Sequence, residues 1–327
     1  MSSKAIALDL GGTRIKIGVT DGGRIIADSI IDAFSGGGLI PRLHAVEAEV
    51  SSLLSKSGLG ANDVRGIGIS IPGIVDSKEM KLLSVNEKYS DAVGFDFKGW
   101  ARKNWDLPLV IENDARAAII GEWQYGAGKG CDNLVMVTLG TGIGGAAVVE
   151  GKVLRGKHFQ AGILPGHFTI NYHGHDCNCG NVGCVESEAS SWRLPDLARQ
   201  NPLFKSSPLS ELQIVDYREV FESAEKGDKL SGELIIHSVE AWSACVINLI
   251  HAYDPELVII GGGIMRSGST ILREISTRVH KHAWTPWGKV RIVPAEQMDF
   301  AALLGIGYLL DQKSSLNKVI EQFLDHE

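Results

Sequence analysis

Short runs of apolar residues that lead into glycine turns recur along the chain. The runs with their turns are 6–10 with Gly11-Gly12-Thr13, 134–139 with 140–145, and 257–260 with Gly261-Gly262-Gly263. Further β-rich runs, 15–20 and 146–149, follow the first two turns, which predicts strand-turn-strand hairpins there. Because this hairpin recurs about 130 residues later in the chain, we expect a duplicated α/β architecture with one copy opening each domain.

Segments with apolar residues at three-to-four spacing fill the intervals, as expected of helices that bury one face. The clearest are 43–56, 115–125 and 230–252, and Asp254-Pro255 ends the last of them ahead of the next strand. The sequence therefore predicts an alternation of strands and helices.

The length of 327 residues favours two domains over one. We expect a first domain of residues 1–115 together with a final helix within about 301–327, which packs back on it. The second domain is predicted at 116–300 and contains a cysteine-rich loop. Its polar, proline-containing stretch 193–228 is expected to form short surface helices.

Composition and charge exclude several classes of partner. The net charge is −7, and no block of lysine or arginine occurs, which argues against nucleic acid or an anionic membrane as the principal partner. The longest apolar runs, such as 301–310, fall short of the roughly 20 residues that span a bilayer. Asp9 interrupts the apolar N-terminal stretch, so no signal peptide is predicted and a cytoplasmic location is expected.

A cysteine cluster indicates a metal site. Three thiols lie in a loop rich in glycine and asparagine, and an imidazole precedes them: the residues are His167, Cys177, Cys179 and Cys184. Three thiolates and one imidazole form the ligand set of a closed, structural zinc site. The alternative is that the cysteines are small buried hydrophobes, which is our interpretation of Cys131 and Cys245.

Disulfides are not expected, because the five cysteines are odd in number and no secretory signal is predicted. Spacing alone leaves His173, His175 and Asp176 as rivals of His167 for the fourth zinc ligand.

The glycine turns indicate phosphate binding. Glycine lets backbone N–H groups approach phosphate oxygens, and Asp9 lies where a carboxylate can hold a magnesium ion that bridges phosphates. Gly11-Gly12 alone is explained equally well as a plain hairpin turn, but the recurrence of such turns favours a nucleotide. Residues 140–145 also satisfy G-x-G-x-x-G, yet a strand follows where a dinucleotide site requires a helix.

A carboxylate opens the helix after the strand 109–111. Asp114 in this place can accept the proton of a substrate hydroxyl, as phosphoryl transfer requires. Taken alone, Asn113 or Asp114 is better explained as a helix N-cap. The phosphate-binding pattern elsewhere in the chain favours the general base.

Taken in order, these residues resemble the ROK family of repressors and sugar kinases along almost the entire chain. The motifs are Asp9-Leu10-Gly11-Gly12-Thr13 for the first phosphate loop, Ile71-Pro72-Gly73 for the turn beside the sugar, 140–145 for the second phosphate loop, Gly166-His167 with Cys177, Cys179 and Cys184 for zinc, and Gly261-Gly262-Gly263 for the adenosine side. The cysteine spacing is the most specific of these features.

The resemblance implies an ATP- and Mg²⁺-dependent sugar kinase with structural Zn²⁺. It further implies a homodimer and two actin-like (ribonuclease H-like) α/β domains with a nucleotide and sugar cleft between them. Asp114 would be the catalytic base. The implied sugar ligands are Asn86, Asn113, His167 and Glu186. The implied nucleotide and metal ligands are Asp9, Gly11, Gly12, Thr13, Thr141, Gly142, Gly144, Gly262 and Gly263.

Two positions depart from the family pattern. The family motif reads Glu-x-Gly-His, with a glutamate that binds sugar hydroxyls near the anomeric carbon, and Leu164 takes its place here. Counting forward from Ala161-Gly162 gives Ile163 instead, so neither count leaves a carboxylate. Losing it should change or weaken sugar recognition. Arg116 stands where asparagine is common, and a guanidinium near the sugar can pair with an anionic substituent.

Two alternatives to a kinase stay open. A transcriptional regulator of the same family carries a helix-turn-helix region ahead of the kinase-like part. Here the first strand begins near Lys4 and the chain is acidic, so we expect no such region. Leu164 favours a non-catalytic or weakly catalytic sugar-sensing protein. The presence of Asp114 argues against this alternative, because a protein that only binds sugar does not need a catalytic base.

Overall fold

The computed structural model describes residues 3–324, and the side chains up to residue 313. The chain divides into two compact units. One contains the residues up to Gly130, Arg155–Gln160 and the residues from Glu296 onward, and the other contains Cys131–Leu154 and Ala161–Ala295.

The strands and helices alternate as the sequence predicts. The strands are β1 (Lys4–Leu10), β2 (Arg14–Asp21), β3 (Arg24–Asp32), β4 (Ile67–Ile71), β5 (Ile74–Asp76), β6 (Lys81–Ser84), β7 (Leu109–Asn113), β8 (Leu134–Leu139), β9 (Ile143–Val149), β10 (Lys152–Val153), β11 (Leu257–Gly261) and β12 (Arg291–Pro294). The α-helices are α1 (Leu43–Lys56), α2 (Phe97–Trp105), α3 (Asp114–Tyr125), α4 (Val185–Ala189), α5 (Leu194–Gln200), α6 (Tyr217–Glu225), α7 (Lys229–Tyr253), α8 (Ile271–His282) and α9 (Ala301–Leu324).

The two units contain five-stranded sheets of the same topology. The strand order is β3-β2-β1-β4-β7 in the first unit and β10-β9-β8-β11-β12 in the second. In each sheet the first two strands in sequence form an antiparallel hairpin, and the first strand pairs in parallel with the fourth. The predicted duplication of an α/β unit is therefore confirmed.

Burial distinguishes interior strands of each sheet from an edge strand. Every residue of β4 and of β11 is buried, as expected of parallel strands covered on both faces. By contrast, β3 alternates exposed and half-buried residues along its whole length, the pattern of an edge strand. Each unit has its own apolar core.

The final helix packs on the first unit, as the sequence predicts. Leu303 and Ile306 of α9 form one buried cluster with Ala7 of β1 and Ala117 of α3. The sequence prediction divided the chain at residue 115, at the start of α3, whereas α3 lies in the first unit. The domain bounds remain a prediction, and their ends at 1–2 and 325–327 lie outside the described residues.

One expectation about the second unit needs correction. The stretch 193–228 does form short helices, but it also buries large side chains such as Leu209 and Tyr217, so it is not confined to the surface. Among the described residues, α7 is long and apolar enough by length and composition alone to cross a membrane, although polar residues interrupt its apolar stretches. More than half of its most apolar stretch is buried, and Trp242 belongs to the core.

Candidate functional site

The first glycine turn joins β1 to β2 and is fixed through its carbonyl groups. Tyr89 Oη donates to the carbonyl of Gly11 at 2.8 Å, and Ser35 Oγ donates to that of Gly12 at 2.6 Å. Thr13, the next residue, is exposed. Sequence reasoning missed Ser35 and Tyr89, because neither belongs to a glycine motif. They hold the backbone that is predicted to bind phosphate.

Asp9, at the end of β1, carries a carboxylate that burial disfavours. Its Oδ1 accepts a hydrogen bond from Ser70 Oγ at 2.8 Å, and its Oδ2 lies 4.0 Å from Lys16 Nζ. Burial raises the pKa of Asp9, and the Lys16 charge and the Ser70 hydrogen bond oppose that rise. An added cation would favour the ionised form.

Asp114, the first residue of α3, is held by two donors. Its Oδ1 accepts from Asn113 Nδ2 at 3.0 Å and from the Ala115 amide at 2.8 Å. Burial and the charge of Asp9 raise the pKa of Asp114, whereas the Ala115 amide and the Lys88 charge lower it. Because the charge of Asp9 disfavours the ionised form of Asp114, a divalent cation such as Mg²⁺ bound at Asp9 would offset that effect.

Asn113 caps α3, which was the alternative considered for it from the sequence. Its Oδ1 accepts from the Arg116 amide at 3.1 Å, the bond expected of an N-cap. Its Nδ2 donates to Asp114 and, at 2.9 Å, to the carbonyl of Gly73. Both amide hydrogens are therefore used, and Asn113 connects the Pro-Gly turn to the carboxylate of Asp114.

Arg116 does not offer its guanidinium to a ligand. Its side chain is fully buried, with Nη1 3.6 Å from Glu112 Oε1 and Nη2 donating to the Phe159 carbonyl at 3.0 Å. Arg155 donates to the other oxygen of Glu112 at 2.6 and 3.0 Å. The expected pairing of Arg116 with an anionic sugar substituent is therefore wrong, because a buried carboxylate of the same unit already pairs with it.

Asn86 lies in an exposed loop after β6, and its carbonyl accepts a hydrogen bond from the Lys88 amide at 2.7 Å. Two non-glycine residues of this loop, Glu87 and Tyr89, have positive φ angles of 63° and 55°. Strained backbone of this kind is concentrated at functional sites. Lys88, between the two, was not singled out from the sequence.

In the second unit, Glu186 supports the second glycine turn, between β8 and β9. Its Oε2 accepts from the Ile143 amide at 2.7 Å, and its Oε1 accepts from Trp192 Nε1 at 3.2 Å. The Trp192 amide donates to the Thr141 carbonyl at 3.2 Å. Both carboxylate oxygens of Glu186 accept hydrogen bonds, and only 9% of the residue is exposed, so the side chain stabilises the turn. Its contact with a sugar stays a prediction.

The predicted phosphate-binding residues of the second turn are accessible. Thr141 is exposed, and Gly142 and Gly144 are half-buried. In the third turn, a Cβ on Gly262 would lie 2.2 Å from the carbonyl oxygen of Leu139, and its φ is +94°. Gly262 thus lets the third turn pack on the end of β8. Gly263 has open space around it.

The predicted zinc ligands come together within the second unit. The nearest ligand atoms of His167, Cys177, Cys179 and Cys184 lie within 4.8 Å of one another. Cys179 Sγ is 3.8 Å from Cys184 Sγ, and Cys177 Sγ is 3.6 Å from His167 Nδ1. A tetrahedral zinc ion, with Zn–S about 2.3 Å and Zn–N about 2.0–2.1 Å, separates two sulfurs by about 3.8 Å and sulfur from nitrogen by about 3.6 Å. The donor set therefore fits zinc.

The rivals for the fourth ligand position do not join this cluster. His175 Nδ1 lies 3.1 Å from Glu188 Oε1, and His237 Nε2 lies 3.3 Å from Glu188 Oε2. His173 and Asp176 are exposed and are not members of the cluster found among the described residues. Burial raises the pKa of Cys184 to about 12, with the neighbouring Cys177 adding to the rise. Because the ionised form of Cys184 is disfavoured, three neighbouring thiolates need a bound cation to stabilise their charge.

The comparisons with known proteins identify the family. A sequence model described as the ROK family matches residues 5–313. The chain belongs to the ROK family. The glucokinase of Thermotoga maritima is 30% identical over 320 residues, which is 95% of this chain and 98% of that one. The xylose repressor of Bacillus subtilis is 27% identical, covering 80% of this chain and 62% of that one.

A solved ROK structure has the same fold. The ROK family glucokinase from Streptomyces griseus, in complex with glucose and AMPPNP, is 29% identical, with a TM-score of 0.80, over 94% of this chain and 99% of that one. The predicted fold class, α/β with two actin-like (ribonuclease H-like) units, is confirmed.

Leu164 differs from the ROK sequence pattern, and its side chain is partly exposed in the structure. It precedes the short helix Pro165–His167, and 36% of it is exposed, whereas Ile163 is buried. The position therefore presents an apolar side chain to solvent where the ROK motif has a carboxylate. Its exposure shows that Leu164 is not there to fill the core.

Proposed function

We propose that this ROK protein transfers the γ-phosphoryl group of ATP to a primary hydroxyl of a hexose or hexose derivative. The observation that carries the proposal is Asp114: a half-buried carboxylate with a raised pKa, oriented by Asn113 and Ala115 at the start of α3. A base of raised pKa is better matched to proton transfer from a hydroxyl. The kinase names of two relatives, the glucokinases of T. maritima and S. griseus, support the same reaction.

In the proposed reaction, Asp114 accepts the proton of the primary hydroxyl as the hydroxyl oxygen bonds to the γ-phosphorus. The bond from that phosphorus to the bridging oxygen breaks, and its electron pair leaves with ADP. Asp9 would hold Mg²⁺, which when bound supplies charge neutralisation to the phosphates. Because Asp9 also raises the pKa of Asp114, a cation at Asp9 would help to keep the base ionised.

The remaining residues would bind and position the substrates. In the first unit, Asn86 and Asn113 are proposed sugar ligands, and Gly11, Gly12 and Thr13 contact phosphate. In the second unit, the proposed sugar ligands are His167 and Glu186, and the proposed nucleotide ligands are Thr141, Gly142, Gly144, Gly262 and Gly263. The cysteine cluster would hold a structural zinc ion that shapes the loop around His167.

A second candidate function is sugar sensing with little or no catalysis. Leu164 favours it, because the ROK carboxylate at this position is missing and the apolar residue in its place is exposed. The xylose repressor of B. subtilis is a relative named for regulation. A homodimer and a cytoplasmic location also stay proposals, and light scattering of the purified protein would test the former.

A coupled assay of ADP release with Mg-ATP tests the kinase proposal. The panel contains glucose, mannose, allose, fructose, N-acetylated hexosamines and acidic sugars. We expect turnover of at least one sugar, and a loss of about 10²–10⁴-fold in Asp114→Asn. Asp106→Asn is a matched control, because Asp106 is an exposed aspartate of the same unit that forms a surface ion pair with Arg102.

The outcomes separate the two candidates. Equal activity of Asp114→Asn and the unmodified protein would exclude the proposed base. Sugar binding by calorimetry without turnover of any sugar in the panel would favour the sensing function instead.

A further inference from the structure

The side chain of Lys88 lies directly over the first glycine turn. A Cβ placed on Gly12 would be 2.8 Å from Lys88 Cε and 2.9 Å from Lys88 Nζ. A residue larger than glycine at position 12 would therefore push the ammonium group away. The absence of a side chain at Gly12 gives Lys88 access to the backbone that is proposed to bind phosphate.

The loop that carries Lys88 is fixed on both sides of this residue. The Tyr89 ring is fully buried, its hydroxyl donates to the Gly11 carbonyl at 2.8 Å, and its amide donates to the Ser35 carbonyl at 3.0 Å. The Lys88 amide donates to Asn86. The positive φ angles of Glu87 and Tyr89 are retained because these contacts hold the loop. The result is that Lys88 is aimed at the turn.

The Lys88 ammonium keeps its donors available. Within the part of the chain that the structure describes, it makes neither a hydrogen bond nor an ion pair. Lys16, a lysine beside Asp9, differs in this respect: its Nζ donates to the Asp299 carbonyl at 2.8 Å and lies 4.0 Å from Asp9 Oδ2. Lys88 also acts electrostatically on Asp114. Lys88 is thus a cation over the glycine turn, and no other described residue pairs with its ammonium group.

We propose that Lys88 is a catalytic residue whose ammonium donates hydrogen bonds to the non-bridging oxygens of the γ-phosphoryl group during transfer. This inference rests on the proposed kinase function. As Asp114 takes the hydroxyl proton and the phosphorus–oxygen bond to ADP breaks, negative charge is spread over those oxygens. The ammonium stabilises this charge and keeps its own protons. Because the charge is greatest in the transition state, the contribution falls mainly on kcat.

Two variants and a control test the assignment. Lys88→Met keeps the length and the apolar stem over Gly12 but removes the charge, and Lys88→Arg restores a cation. We expect Lys88→Met to lower kcat by about 10²–10³-fold, with the sugar KM changed less than about threefold, and Lys88→Arg to recover part of the loss. Lys78→Met, the same change at an exposed lysine, should leave kcat unaltered.

A binding measurement gives an answer that does not depend on turnover. Calorimetry compares AMPPNP, which has a third phosphate, with ADP, which lacks it. We expect the preference for AMPPNP over ADP to fall about tenfold in Lys88→Met and to be unchanged in Lys78→Met. Equal melting temperatures of the variants would show that the fold is intact.

The combined outcomes distinguish the two proposals. If the unmodified protein phosphorylates a sugar and Lys88→Met retains both its kcat and its nucleotide preference, the role of Lys88 is wrong and the kinase function stands. If no sugar is phosphorylated but Lys88→Met loses the preference for AMPPNP, the phosphate contact stands and the kinase function fails. Unchanged preference in an inactive protein overturns both.

Discussion

At the scale of single residues, one side chain often serves two purposes in this protein. Asn113 caps α3 through its Oδ1 and orients Asp114 through its Nδ2. Glu186 supports the second glycine turn and is also a proposed sugar ligand. Capping and catalysis appeared as competing explanations of the sequence around Asn113. The structure shows that the amide group caps the helix and contacts the Asp114 carboxylate at once.

The loss of activity at low pH is a testable prediction about Asp114. To act as a base, Asp114 must be deprotonated. Burial and the charge of Asp9 raise its pKa above the ordinary 3.8, whereas the Ala115 amide and the Lys88 charge oppose that rise. Activity should therefore be full at high pH and fall on acidification at a higher pH than for an ordinary aspartate. Measuring kcat/KM against pH checks this. A limb at the ordinary value would contradict the assignment.

Removing the buried partner of Arg116 should be costly. In Glu112→Gln, Arg116 and Arg155 lose their carboxylate, and breaking a buried ion pair from one side costs about 3–5 kcal/mol. Urea unfolding measures the free energy. Asp106→Asn, which breaks an exposed pair with Arg102, is the control and should be indistinguishable from the unmodified protein. A similarly small effect of Glu112→Gln would show that the Arg116 pair does not stabilise the unit.

At the scale of elements, periodicity predicted the helices and strands well. The bounds 43–56 agree with α1, because a buried helix face leaves its period in the sequence, and the bounds 134–139 agree with β8, because a strand buried on both faces is a short continuous apolar run. The partners of polar side chains could not be predicted this way. Arg116 lies 39 residues from Arg155, whose carbonyl it approaches at 3.4 Å, and no local pattern records that contact. The expected sugar contact of Arg116 failed for this reason.

The third glycine turn allows a matched pair of substitutions. In Gly262→Ala the new Cβ would lie 2.2 Å from the Leu139 carbonyl oxygen at a positive φ, so the end of β8 must move. Gly263→Ala meets open space. We expect Gly262→Ala to lower the free energy of unfolding by more than about 1 kcal/mol and Gly263→Ala to be near neutral. Thermal denaturation compares them, and equal melting temperatures would refute the packing argument.

The cysteine loop should contain about one zinc ion per chain. Elemental analysis of the purified protein measures this. Cys179→Ser should lose both the metal and stability, because metal-binding energy is folding energy in such a loop. Cys131→Ser, outside the cluster, should retain zinc. Finding an intact fold without zinc would exclude the site.

At the scale of the whole molecule, the repeated hairpin was enough to predict a duplicated α/β fold. The division of the chain was harder to predict. The six residues Arg155–Gln160 lie within the sequence of the second unit but belong to the first. Arg155 of this segment pairs with the buried Glu112, and such a pair has no signature in hydrophobic periodicity.

The placement of α9 has a consequence for synthesis. The second unit is complete once the ribosome has made residue 295, whereas the first unit, although it begins the chain, still lacks the helix whose Leu303 and Ile306 cover Ala7 and Ala117. Domains usually mature in the order of translation. In this protein the first unit cannot be completed before the helix α9 has been made. The nascent chain therefore exposes one face of its first sheet until α9 leaves the exit tunnel.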